Sequence, residues 1–156
     1  MKGFRIRVGL AAFLVISPCM AASPQKPGPK DKCPVCGMFV YKYPEWTAQV
    51  HFRDGTRLFF DGAKDLFKFL ADPKRYGSGW RTQDVEAAYV TDYYSLEPVD
   101  AWGAFYVVGS DVYGPMGREL IPFSSEDDAK AFLKDHSGKS VLRFPQITPE
   151  VLRGLH

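Results

Sequence analysis

A hairpin followed by a helix is written twice in this chain, about 62 residues apart, and that constrains its fold most. In the first copy Trp46, Ala48, Val50 and Phe52 alternate with Thr47, Gln49 and His51, the period of a half-buried strand with His51 on its polar face. Arg53-Asp54-Gly55-Thr56 reads as a hairpin turn, and Arg57 to Phe60 as the partner strand. Asp61 stands where it can cap a helix over Gly62 to Leu70, whose buried stripe is Leu66, Phe67, Phe69 and Leu70. Asp72-Pro73 ends that helix, and Val85 to Tyr94 reads as a strand. In the second copy Ala104 to Val108 and Glu119 to Phe123 are strands, joined by a glycine-bearing connection from Gly109 to Gly117. Ser125 opens a helix through Phe132 and Leu133, Gly138 stops it, and Ser140 to Phe144 closes the unit. Thr148-Pro149 starts a short last helix. Gly55 to Phe59 overlays Gly117 to Ile121, and Leu66 to Leu70 overlays Ala129 to Leu133 with one inserted residue. The expectation is an α+β chain of two tandem β-β-α-β units, 33–100 and 101–156.

Residues 1–22 are set apart from these units. Lys2, Arg5 and Arg7 precede an apolar stretch from Val8 to Ile16, then the small residues Ala21 and Ala22, the pattern of an export signal. Cys19 follows Ile16-Ser17-Pro18 and resembles a lipobox cysteine, so lipidation and simple secretion are both open. The whole chain has 20 basic and 18 acidic residues; without the three in the signal it is near neutral at 17 against 18. A nucleic-acid partner therefore loses its electrostatic footing. Residues 23–32 hold three prolines and three lysines and read as an extended tether. An exported domain meets an oxidising compartment, with Cys33 and Cys36 its only cysteines past the signal.

Those two cysteines sit in Cys33-Pro-Val-Cys36-Gly-Met38, which brings three sulfurs within six residues. Such a cluster suits a soft metal or a redox couple. Phe39 to Tyr43 reads as a short strand leading out of it. Met116 lies in Gly114-Pro-Met-Gly117, away from any apolar stripe, where a thioether is open to a metal. Thiolate and thioether donors favour Cu(I), which accepts two or three ligands, whereas structural zinc takes four. His51, His136 and His156 are scattered, without zinc-finger spacing. Asp54, Asp61 and Asp65 are explained by a turn, a cap and a helix surface. A thiol-disulfide protein and a structural zinc domain remain as alternatives. No hydrolase, zincin or phosphate-loop motif is present, so an enzyme is not expected.

Taken together, Asp31-Lys-Cys33-Pro-Val-Cys36-Gly-Met38-Phe-Val, Phe60-Asp61-Gly62 and Val108-Gly-Ser-Asp-Val-Tyr-Gly-Pro-Met116-Gly resemble the NosL family. These are copper-binding accessory lipoproteins of nitrous oxide reductase maturation. The resemblance covers about Asp31 to Phe144. It implies a treble-clef-like fold related to that of organomercurial lyase. It also implies a periplasmic, membrane-anchored Cu(I) metallochaperone that hands copper to a cuproenzyme or an ABC-type assembly complex. The metal residues it implies are Cys33, Cys36, Met38 and Met116. Where family members often have a histidine two residues after the loop methionine, this chain has Arg118, which cannot ligate copper.

Overall fold

The computed structural model describes residues 23–155; the stretch read as an export signal, with Cys19, and His156 lie outside them. The first sheet is built from β1 (Ala48–Phe52), β2 (Arg57–Phe60), then after helix α1 (Ala63–Ala71) β3 (Val85–Thr91) and β4 (Pro98–Asp100). Its order is β2-β1-β3-β4, antiparallel throughout. Next come β5 (Phe105–Val108), a small hairpin of β6 (Tyr113–Gly114) and β7 (Gly117–Arg118), β8 (Ile121–Phe123), helix α2 (Glu126–Asp135), β9 (Ser140–Arg143) and helix α3 (Pro149–Arg153). The second sheet runs β8-β5-β9. In both sheets the strand that opens the unit is central, flanked by its hairpin partner and by the strand after the helix. The α+β class follows directly.

The Asp54-Gly55 turn forms as read. Gly55 takes a φ of 85°, and Asp54 Oδ1 accepts from Thr56 N at 2.9 Å. Ser125 caps α2, its Oγ accepting from Asp128 N at 3.3 Å. At the other end of α2 the left-handed residue is Ser137 (φ 53°), and Gly138 N donates to Leu133 O at 2.8 Å. Gly138 serves packing instead: a Cβ there would lie 2.8 Å from Val107 Cγ1 on β5.

Three local readings are corrected. Phe39–Tyr43 is not a strand: after a single bridge from Lys32 to Phe39 the chain curls into 3-10 turns at Val40–Lys42 and Pro44–Trp46. Pro44 has no N–H to offer a ladder, and Val40 N is already given to Asp31 O at 3.1 Å. Glu119 and Leu120 stand outside β8. Finally, β1 is buried along its whole length, Gln49 and His51 included. Gln25, in the segment read as an extended tether, docks on its polar face. Gln25 N donates to Gln49 Oε1 at 2.8 Å, and Gln49 Nε2 donates back to Gln25 O at 3.1 Å. His51 Nε2 lies 2.7 Å from the same Gln49 oxygen, and Tyr89 packs edge-on to its ring.

The main core joins both units. Phe69 of α1 meets Phe52, Phe60 and Tyr76, while Phe67 meets Tyr106 of β5 and Phe144. Tyr106 is fully buried and satisfies its hydroxyl by donating to Ala101 O at 2.6 Å. A second cluster of Val107, Ile121, Phe123, Ala129 and Phe132 sits under α2. Among the described residues no helix is long and apolar enough to cross a membrane.

Candidate metal site

The sulfur motif is a tight turn closed by two main-chain bonds. Cys33 N donates to Met38 O at 2.9 Å and Gly37 N to Cys33 O at 2.8 Å. Gly37 has a φ of 80°, which a side chain would oppose. The turn lays both sulfurs against the start of α1. Cys36 Sγ is 3.2 Å from Asp61 Oδ1, and Cys33 Sγ is 3.5 Å from Asp65 Oδ2. One donor atom from each of Cys33, Cys36, Asp61 and Asp65 can be chosen so that all four lie within 4.8 Å of one another. Neither cysteine is in a disulfide. Cys33, Asp61 and Asp65 are buried and Cys36 is half-buried, so access is from the Cys36 side.

Asp61 does not cap α1. Gly62 is the N-cap residue, extended at φ −178°, and the helix start is served from the second unit. Glu119 Oε1 accepts from Lys64 N at 2.5 Å and from Leu120 N at 2.9 Å. The Glu119 carboxylate presses on Gly62 so closely that a Cβ at 62 would collide with it. Relieved of capping, Asp61 turns to Cys36, and its Oδ2 is buried with no partner. A buried carboxylate oxygen left unpaired costs about 1–3 kcal/mol, which a cation held here would offset. Asp65, read as a surface helix residue, is 3% exposed. Its other oxygen lies 3.5 Å from Lys68 Nζ.

The thiols keep their protons in this setting. Burial pushes Cys36 up to about 12, partly offset by the Met38 N–H, with the hydrogen bond to Asp61 raising it further. Cys33 is pushed higher still by burial first, with the charges of Asp61 and Asp65 adding to it against the Cys36 N–H. Two soft sulfurs and two hard oxygens thus form a compact donor set, with two protons that a metal would displace.

Met38 follows the turn and is half-buried. Met116 is at the tip of the β6–β7 hairpin, 47% exposed, beside Gly117 at φ 86°. That hairpin is fastened to the first turn of α1, because Lys64 Nζ donates to Met116 O at 2.8 Å and to Arg118 O at 2.6 Å. The Met116 turn is therefore brought to the helix start that holds Asp61 and Asp65. Arg118 faces the ring of Tyr113 across the hairpin, 5.9 Å from its centroid. No described histidine joins the cluster. His51 is buried in β1, and His136 pairs with Asp111 at 3.0 Å.

Glu119 is wholly buried, and burial raises its carboxyl from 4.5 to about 7 against the pull of Leu120 N–H and Lys64. A raised carboxyl stabilises the fold most when protonated in both states, so this contribution is lost as pH rises from about 4.5 to about 7. Glu119→Gln keeps an acceptor without the charge. Its stability relative to wild type, by urea denaturation, is expected to rise by about 3 kcal/mol between about pH 4 and pH 8. A pH-independent difference would show that Glu119 titrates normally.

The chain matches the NosL family over residues 24–152. It is 33% identical over 134 residues to the copper-binding lipoprotein NosL of Stutzerimonas stutzeri, covering 79% of this chain and 65% of that protein, slightly under two thirds of its length. It is 32% identical over 156 aligned positions to the copper-binding lipoprotein NosL of Achromobacter cycloclastes, covering 88% of this chain and 77% of that one. Its fold is similar to the crystal structure of the copper chaperone NosL from Shewanella denitrificans, with a TM-score of 0.70 and 29% identity, over 82% of this chain and 97% of that one. The chain that builds this sulfur–carboxylate site belongs to the NosL family.

Proposed function

We propose that this protein is an exported, membrane-anchored Cu(I) carrier. It collects copper at Cys33 and Cys36, with Met38 and Met116 as thioether donors, and passes it to a recipient cuproenzyme or that enzyme's assembly complex. Nitrous oxide reductase is the recipient the family points to. The observation that supports this best is the pair of free thiols against the buried carboxylates of Asp61 and Asp65, with the Met116 turn fastened to the same helix start. The relatives are named copper-binding lipoproteins and a copper chaperone, which agrees with copper as cargo and with a lipid on Cys19. A thiol-disulfide catalyst fits less well, since a reactive cysteine pair needs a lowered thiol pKa and Cys36 is pushed up to about 12. One observation favours a second reading: four donors, Cys33, Cys36, Asp61 and Asp65, also make up a closed zinc set.

The test is anaerobic titration of the reduced domain with Cu(I) against a competing chelator, repeated with Met116→Leu and Asp61→Asn and with Zn²⁺ present. The carrier reading expects one copper per chain, held in excess Zn²⁺. Met116→Leu is expected to lower affinity at least about tenfold, the least that loss of a metal-site contact costs. Absence of Cu(I) binding, or displacement of Cu(I) by Zn²⁺, would sink it.

A further inference from the structure

Lys64 breaks two local rules. It is the second residue of α1, where the positive end of the helix dipole repels a cation, and it is 3% exposed, where an ammonium is costly unless its protons are bonded. The sequence pattern offers no reason for such a choice, since most helix formers would fill the site without that cost. Among the described residues its ammonium makes no ion pair within 4 Å with Asp61, Asp65 or Glu119, and it acts on the Glu119 carboxyl only through its charge. The ammonium is spent on the main chain of another unit, on Met116 O at 2.8 Å and Arg118 O at 2.6 Å, one on each side of Gly117. The bonding is reciprocal, because Glu119, the residue after Arg118, accepts from Lys64 N. Two glycines make room for this crossing. Gly62 lies against the Glu119 carboxylate, and a Cβ at Gly114 would come 3.1 Å from Glu119 Cγ.

A residue that goes against both the helix dipole and the cost of burying a charge is explained when it secures something else. What it secures here is a hairpin with few fastenings of its own: β6 and β7 are two residues each, and the tip is exposed. We infer that Lys64, backed by Glu119, is the positioning residue that holds the Met116 turn beside the Cys33–Cys36 site. This rests on Met116 being a copper ligand, as proposed above. Lys64 does not touch the metal. It keeps the thioether near the thiolates, so that copper binding does not have to order the hairpin.

A double-mutant cycle on reduced, full-length mature protein tests this, with Cu(I) affinity measured against a chelator and copper X-ray absorption reporting the number of sulfur neighbours. Lys64→Leu suits the site because leucine keeps helix propensity and is at ease when buried. Lys64→Leu is expected to weaken Cu(I) about tenfold and remove one sulfur neighbour, in the range of lost outer-shell support. Lys64→Arg, which can still donate to both carbonyls, is expected to restore most of the loss. In the Met116→Leu background Lys64→Leu is expected to change affinity less than about twofold, because the partner it acts through is gone. An equal loss in both backgrounds would mark a general structural effect and overturn the inference. Loss from Met116→Leu but none from Lys64→Leu would overturn the latch and leave the carrier reading intact. An unchanged Met116→Leu affinity would remove Met116 from the site, and the role of Lys64 with it.

Discussion

Replacing Cys36 by serine is expected to abolish Cu(I) retention by the purified domain, with a loss of affinity beyond the ~10–100-fold that outer-shell changes cost. A serine hydroxyl is a hard donor and does not ionise near neutral pH, so Cu(I) loses the soft anionic ligand that distinguishes this site from water. The remaining thiol is Cys33, which is buried and lies against Asp65 at 3.5 Å. Cys33→Ser is expected to do the same, with the added burial of a hydroxyl where a thiol stood. Folding separates chemistry from damage. Cys36 is half-buried, and its serine variant should keep the wild-type thermal transition within a few degrees, since near-surface polar exchanges stay within about 0.5 kcal/mol. Retained one-to-one Cu(I) binding in either variant would show that the two sulfurs do not act together.

The second large effect is on pH. In the absence of metal burial keeps the proton on both thiols at neutral pH, pushing Cys36 up to about 12 and raising Cys33 as well. Copper held by two thiolates must displace two protons. The apparent affinity therefore rises about a hundredfold per pH unit, or about 10⁴-fold from pH 6 to pH 8. The sign follows from the direction of the shifts: a thiol held high competes for its proton throughout this range, so acid weakens binding and base tightens it. The same linkage stabilises the loaded fold more at high pH. Competition titrations at several pH values, corrected for the chelator's own protons, give the slope. A slope near one proton would show that only one cysteine binds as thiolate, and a flat profile would show that neither thiol is held high.

The order of strands and helices was legible because it depends on local periodicity. The Asp54-Gly55 turn, the apolar stripe of α1 and the Ser125 cap each involve residues within a few positions of one another. The corrected readings share a different origin. Gln49 and His51 alternate as exposed residues should, yet Gln25, 24 residues upstream of Gln49, bonds to Gln49, and His51 is buried against Gln49 and Tyr89. Asp61 and Asp65 have ordinary local explanations, and Asp61 loses its own only because Glu119 takes over the helix start across 55 residues of separation. One signal in the sequence bore on this: glycine follows Asp61, and glycine is a usable N-cap by itself. Glu119 read as part of a strand, and nothing near it shows that its carboxylate is wholly buried.

The sequence by itself determined the α+β pattern, the tight Cys33–Met38 turn and the softness of its donors, because turn closure and ligand chemistry are properties of neighbouring residues. Only the tertiary structure decided that two carboxylates complete the cluster and that a lysine fastens the Met116 turn to it. The thiol–carboxylate contacts join residues 25 and 32 positions apart within the first unit, and the lysine contacts cross to the second, so the burial that surrounds Asp61 and keeps both thiols protonated exists only in the packed fold.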